Sequence, residues 1–425
     1  MHARDISASE CLHYVDRLAA FGTRHTLSTT SSDTRGIGAA RNYLASTLRS
    51  FTGSLRVDFE THDAPITPRT PCGAQLVNVV ATLPGTLRSA SHRRIYCIAH
   101  YDSLNADVMN AVDDAPGAND NASGCAVVLA CAKALADSPC DATIVFMLTA
   151  GEEQGLLGAR AHAQALATQS NVTSVFVLNN DTVGDPGPTL LREGLPALDT
   201  SRPRVRMFSE GLPKPASLEA AMALRTLGGE HDSPSRQLAR TIAEIAHTHN
   251  TAALPWSIHR PDRFLRGGDH TPFNEHGFAA VRFTSLAEEY SRQHVHPSTR
   301  DGAPYGDLPR FVDSSYLAAV ARLNCAALVA LANAPSPPAN ARIIAAGMEQ
   351  DTLIAWDASP EADVVGYDIV WRDTDSPTWQ AQRRVDATTK KCRIGVSKDN
   401  AHFAVRAVDS AGHLSVPAYC IAAKA

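Results

Sequence analysis

Glu152 and Glu153 stand side by side in TAGEEQGLLGA, directly behind the apolar run ATIVFMLTA. Like charges at the end of a buried strand repel one another. The plain explanation is a helix start, where acids face the positive end of the helix dipole. Other segments argue for chemistry instead. IYCIAH ends in His100, with Asp102 two residues on, and VFVLNND ends in Asp181. GANDNASG holds Asp120 in a Gly-bounded loop before a helix, and EEYSRQHVHPSTRD places His294 and His296 after the apolar run AAVRF. Singly, each residue has a bland reading: a core histidine, a turn aspartate, a helix N-cap, a surface histidine. Together they bring imidazole nitrogens and several carboxylates to the ends of neighbouring strands. That mixture suits zinc, which takes His nitrogen at about 2.0–2.1 Å and carboxylate oxygen at about 2.0–2.2 Å. Carboxylates crowd into a dry crevice only where cations neutralise them. Asp113, Asp114, His162 and His259 have no such support and read as solvated or structural.

The elements that must position these residues follow from periodicity. QLVNVVATLPGT, RRIYCIAHYDS, DATIVFMLTAGEE, TSVFVLNNDTVG and GFAAVRFTS each contain a short apolar or β-branched run, the pattern of a strand buried on both faces. ASGCAVVLACAKALAD, GLLGARAHAQALA and SRQLARTIAEIAHTH read as helices between them, and ARDISASECLHYVDRLAAFG as an N-terminal helix. Strands alternating with helices imply an α/β fold, a mostly parallel mixed sheet with helices on both faces. In such sheets, sites form at the carboxyl ends of the strands. The Pro/Gly-rich stretch from Pro186 to about Pro234 reads as an irregular insertion. After the helix SSYLAAVARLNCAALVALANA, the proline-rich segment 334–341 reads as a stiff linker. Residues 342–425 then alternate apolar and polar positions between turns, the pattern of a small all-β sandwich.

The segments AHYDSL, GANDNASG, AGEEQGLLGA, NNDTVG and GGDHTPFNEHGFAAVRF resemble the M28 family of co-catalytic zinc exopeptidases in order and rough spacing, over about residues 5–333. The resemblance implies two Zn2+ ions bridged by Asp120, one completed by His100 and Asp181, the other by Glu153 and a late histidine. It implies that Glu152 is the general base, that Asp102 orients a histidine ligand, that Asp269 and His270 support the pocket, and that the Asp120–Asn121 peptide is cis. The expected activity is removal of N-terminal residues from peptides with a free N-terminus. A carboxypeptidase, a single-zinc glutaminyl cyclase and a non-catalytic binding protein on the same fold are the alternatives. For the late ligand, the family pattern of a Tyr a few residues before and an acid a few after divides, since Tyr290 favours His294 and Asp301 favours His296. Pro297 restricts His296 to extended conformations, and the reading chooses His294. The chain from about Arg342 resembles a fibronectin type III domain, with Trp356 and Tyr367 at core positions and Ala401 where a corner tyrosine is usual. An adhesion or spacing role without catalysis is expected of it.

Composition sets outer bounds. The 425 residues are 44% apolar and 20% charged, with a formal charge of −5 and no long basic run, which argues against nucleic-acid binding. No run of about 18 apolar residues marks a membrane span. The nine cysteines show no CxxC spacing, and Cys392 and Cys420 are a candidate pair. MHARDISASE lacks the apolar core of a signal peptide. The expectation is an exported protein, periplasmic or secreted, with its signal removed, and a cytoplasmic one as the alternative.

Overall fold

The computed structural model describes residues 5–51, 53–199, 201–212, 217–345 and 349–424, so residues 1–4 of the stretch read for an export signal lie outside it. The chain runs through α1 (Ala8–Ala19), α2 (Gly36–Ser50), β1 (Arg56–Ala64), β2 (Ala74–Leu83), β3 (Arg93–His100), α3 (Gly124–Leu135), β4 (Thr143–Thr149), α4 (Leu157–Ala167) and β5 (Ser174–Asn180). It continues through β6 (Arg204–Ser209), α5 (Leu218–Thr226), α6 (Pro234–Thr248), β7 (Leu254–Ile258), α7 (His270–Glu275) and β8 (Ala279–Ser285). A short hairpin, β9 (Ser298–Arg300) and β10 (Ala303–Tyr305), precedes α8 (Ser314–Asn333).

Strands β1 to β8 form one sheet in the order β1-β2-β4-β3-β5-β8-β6-β7. Four of its seven pairings are parallel, and these include the central run β4-β3-β5-β8. Successive side chains of a strand point to opposite faces, and both faces are covered. Ile95, Cys97 and Ala99 of β3 pack with Phe146, Leu148 and Leu178 against α1, α3 and α8. Tyr96 and Ile98 pack with Val145, Met147 and Val177 against Ala159 and Ala163 of α4 and Phe273 of α7. α8 is long and apolar enough to cross a membrane, but its apolar window is 72% buried within the protein, where Leu317, Val320, Leu328 and Leu331 join the larger core.

Sequence patterning did not reveal β1, β6, β7 or α2. β1, RVDFETHDA, is a half-exposed edge strand, β6 carries two arginines, and β7 is five residues long with a proline, all features that weaken a strand signal. The stretch 186–234 is therefore not irregular throughout, because it contains β6 and α5.

The C-terminal part has strands β11 (Ala339–Ala345), β12 (Thr352–Asp357), β13 (Val364–Asp373), β14 (Ala381–Asp386), β15 (Lys391–Ile394), β16 (Ala401–Asp409), β17 (Ala418–Tyr419) and β18 (Ile421–Lys424). β11 begins inside the segment expected as linker, since Ala339, Asn340 and Ala341 belong to it. Two four-stranded sheets, β15-β12-β11-β18 and β14-β13-β16-β17, enclose Ile354, Trp356, Tyr367, Ile369, Phe403 and Val405. The rings of Trp356 and Tyr367 lie 5.5 Å apart. Ala401 is buried at the head of β16, and Cys392 and Cys420 are free thiols rather than a disulfide.

This sandwich docks where the central strands begin. Arg93, the first residue of β3, donates to Leu331 O at 2.6 Å and lies 4.0 Å from Glu361, which accepts from Ser336 N and Oγ at 3.0 and 2.6 Å. A second contact joins α6 to the sandwich, where buried Asp232 pairs with Arg240 of α6 at 2.7 Å and with Arg372 of β13 at 2.6 Å. Buried charges persist only where partners satisfy them, so this junction is built rather than incidental.

Candidate metal centre

The carboxyl ends of β3, β4, β5 and β8 meet at one crevice. His100 is the last residue of β3, and Asp181 directly follows β5. After β4, Gly151 adopts φ +76°, which L side chains rarely adopt, and turns the chain so that the N–H groups of Glu152 and Glu153 point at Asp102. Asp120 sits in the segment Ala118–Ser123 ahead of α3, and the Asp120–Asn121 peptide is cis. Asn121 ties this segment to β5, since its Nδ2 donates to Asn180 O at 2.9 Å and its Oδ1 accepts from Thr182 N at 3.2 Å.

Asp120 divides its two oxygens. Oδ1 lies 3.3 Å from His100 Nε2, while Oδ2 lies 3.2 Å from His294 Nε2. His100 Nε2 is also 3.8 Å from Asp181 Oδ2, and His294 Nε2 is 3.0 Å from Glu153 Oε1. Two donor groups result, His100–Asp120–Asp181 and Asp120–Glu153–His294, each with one imidazole nitrogen and two carboxylates, and Asp120 common to both. Glu152 lies outside both groups but within ligand-atom reach of His100 and Glu153, and it is only partly buried.

The two late histidines separate. His294 has φ +48°, so the segment is not extended there and residues two apart do not point the same way. His294 faces the crevice, whereas His296 is exposed beside Arg35, Asp113 and Asp114 in a surface cavity of about 410 Å³.

Asp102 stands against the far nitrogen of His100 with both its backbone and its side chain. His100 Nδ1 lies 3.2 Å from the backbone carbonyl of Asp102 and 3.6 Å from its carboxylate. Nδ1–H donating to that carbonyl leaves Nε2 its lone pair for a cation. The carboxylate accepts from Glu152 N, Glu153 N and Thr26 Oγ1 at 3.2, 3.1 and 3.1 Å, and so holds the Glu152–Glu153 turn. Asp269 is fully buried, accepts from Thr149 Oγ1, and neighbours His100, Asp102 and Asp181 electrostatically. His270 turns away and makes a 2.7 Å contact to Pro261 O.

Two participants were not found from sequence. Arg282 of β8 is fully buried, 3.0 Å from both Asp181 Oδ2 and Asp262 Oδ2, and donates to Gly267 O at 2.7 Å. A charge inside the otherwise apolar AAVRF was the available signal. Asp307 accepts from Asn119 N at 2.7 Å and Asp120 N at 2.8 Å. Asp301, the acid weighed from sequence, lies exposed in the turn between β9 and β10.

The electrostatics show crowded negative charge. Burial raises Glu152 well above the carboxylate range, with Glu153, Asp181 and Asp269 adding to the shift and His100 opposing it. Burial and Asp120 raise Glu153, and burial lifts Asp269 to about 7. Burial works against the Asp181 carboxylate, yet Arg282 and His100 hold it below its ordinary value. Burial likewise disfavours charge on His294, but Glu153 and Asp120 lift it to about 11. Hard carboxylates with one imidazole per group, in excess negative charge, form a donor set that fits a pair of divalent zinc ions.

The description Peptidase family M28 matches residues 78–307. A probable zinc metalloprotease of Leptosphaeria maculans is 40% identical over 411 residues, covering 95% of this chain and 92% of that protein. One from Pyrenophora teres f. teres is 38% identical, covering 98% and 85%. Among solved structures, the LapA aminopeptidase of Legionella pneumophila is similar at 16–17% identity with TM-scores of 0.50 and 0.53, covering 78% of this chain and 74–75% of that one. At that identity the likeness concerns the fold alone.

Proposed function

Since the chain belongs to peptidase family M28, we propose that it is a zinc-dependent aminopeptidase holding two zinc ions in the groups His100–Asp120–Asp181 and Asp120–Glu153–His294. The observation that supports this most directly is the division of Asp120, whose two oxygens face two separate histidine–carboxylate groups. Zinc supplies Lewis acidity toward a water and the scissile carbonyl when bound. The chain's own residues do the rest. Glu152 stands beside the donor groups without belonging to the pair that share Asp120, so its carboxylate can take a proton from the water and return it to the leaving amine. Asp102 keeps Glu152 and Glu153 in register through their amides, and its carbonyl fixes the His100 ring. Excess carboxylate in the crevice offers counter-charge to a substrate α-ammonium, which favours peptides with a free N-terminus over blocked ones. The C-terminal sandwich is read as a fibronectin type III-like accessory without catalysis.

The test is metal analysis of the purified protein together with aminoacyl amides carrying free or acetylated amines. Two zinc ions per chain and hydrolysis of the free-amine series alone are expected. Equal hydrolysis of both series would remove the aminopeptidase reading, and one zinc per chain would remove the two-metal centre.

A further inference from the structure

Behind the shared carboxylate, one residue captures three consecutive backbone N–H groups. Ala118 N donates to the Asp307 carbonyl at 3.3 Å, Asn119 N to Asp307 Oδ1 at 2.7 Å, and Asp120 N to Asp307 Oδ2 at 2.8 Å. Two amides aimed at two separate oxygens require a carboxylate, because a carboxamide has a single acceptor oxygen and presents N–H groups at the other position. The chain reaches this place through Gly306 at φ +128°, where a Cβ would lie 3.2 Å from the Pro297 backbone. Asp307 also stands thirteen residues after His294, beyond the β9–β10 hairpin, on the same chain segment. It therefore joins the loop carrying His294 to the loop carrying Asp120, whose side chains meet at 3.2 Å. Asp120 repels this further acid, and the Asn119 and Asp120 amides oppose that repulsion. Fully buried Arg24 supplies positive charge beside it and donates to Gly117 O at 2.9 Å, which extends the hold on this loop.

We propose that Asp307 is a positioning residue for the metal centre, fixing the bridging carboxylate of Asp120 against His294 through the three amides ahead of it. This inference rests on the two-metal reading, which the zinc count of the wild-type chain tests separately. Outer partners of metal ligands commonly change metal affinity by about 10–100-fold when altered. Asp307→Asn should accordingly lower zinc retention by about 10–100-fold in competition with a chelator. It should reduce kcat more than it raises KM, since the ligands are displaced while the substrate-facing surface remains. Asp307→Glu keeps two acceptor oxygens one methylene further out. It should fold, retain zinc better than Asp307→Asn, and fall short of the wild type. The metal-free Tm of each variant, measured alongside, separates the alternatives. A purely structural role would lower that Tm while leaving zinc affinity untouched, and that result overturns the proposal. If Asp307→Asn does not fold, Asp307→Glu decides, and wild-type zinc retention in it overturns the proposal as well.

Discussion

Glu152→Gln and Glu153→Gln make a pair of perturbations whose outcomes should differ in kind. The amide of residue 152 donates to Asp102 through its backbone, so the bond survives a side-chain change and the turn stays in place. Glu152 belongs to neither donor group that contains Asp120, so Glu152→Gln should leave zinc at the wild-type count. What it removes is a base. Loss of general-base assistance typically slows catalysis by about 10²–10⁴-fold, which corresponds to about 3–5 kcal/mol of barrier at 1.36 kcal/mol per tenfold. Glu153 is different, because its Oε1 lies 3.0 Å from His294 Nε2 and completes a donor group. Glu153→Gln replaces a charged donor with a neutral one and should release the zinc of that group. The assay is zinc per chain by elemental analysis, followed by kcat on a leucyl amide. Zinc loss in Glu152→Gln with retention in Glu153→Gln would show the roles exchanged. Turnover within tenfold of wild type in Glu152→Gln would refute the base assignment.

His294→Ala should lose one zinc and most activity, while His296→Ala should keep both, and elemental analysis checks each. Arg282→Met leaves the buried carboxylates of Asp181 and Asp262 without their shared partner. Breaking a buried pair costs about 3–5 kcal/mol, to be read as a lower urea midpoint for metal-free protein, with Arg282→Lys recovering part. Glu60 accepts from His162 at 2.8 Å and from Asn78, and these partners outweigh burial and hold its pKa down to about 2. A carboxylate depressed in the fold stabilises it above the unfolded pKa and loses that contribution as pH falls through the folded value. The wild type should therefore lose up to about 3 kcal/mol between about pH 4.5 and pH 2 that Glu60→Gln does not lose. Parallel acid-unfolding curves for the two proteins would contradict this.

Legibility of the site in sequence depended on burial. β3, β4 and β5 are apolar on both faces, so His100, Glu152 and Asp181 stood out as abrupt polar endings at the place where open α/β sheets build sites. The strands of the large sheet that escaped notice are those that water touches or arginines interrupt, β1, β6 and β7. His294 and His296 could not be separated by alternation because alternation presumes extended backbone, and the left-handed φ of His294 breaks that premise. Asp307 stayed hidden for another reason. It acts on backbone amides nearly 190 residues away, and no side-chain pattern records a partnership of that sort. Arg282 was visible as an oddity in AAVRF, but its partners Asp181 and Asp262 come from separate loops that only the folded sheet brings together.

The sandwich holds the end of the sheet at which the central strands begin, and the crevice opens at the end where they finish. β3 alone separates Arg93 from His100, a span of about 23 Å at about 3.3 Å per residue. A surface gripped by the far side of the sandwich would therefore carry the crevice pointing outward. Long chains could approach it without passing the sandwich.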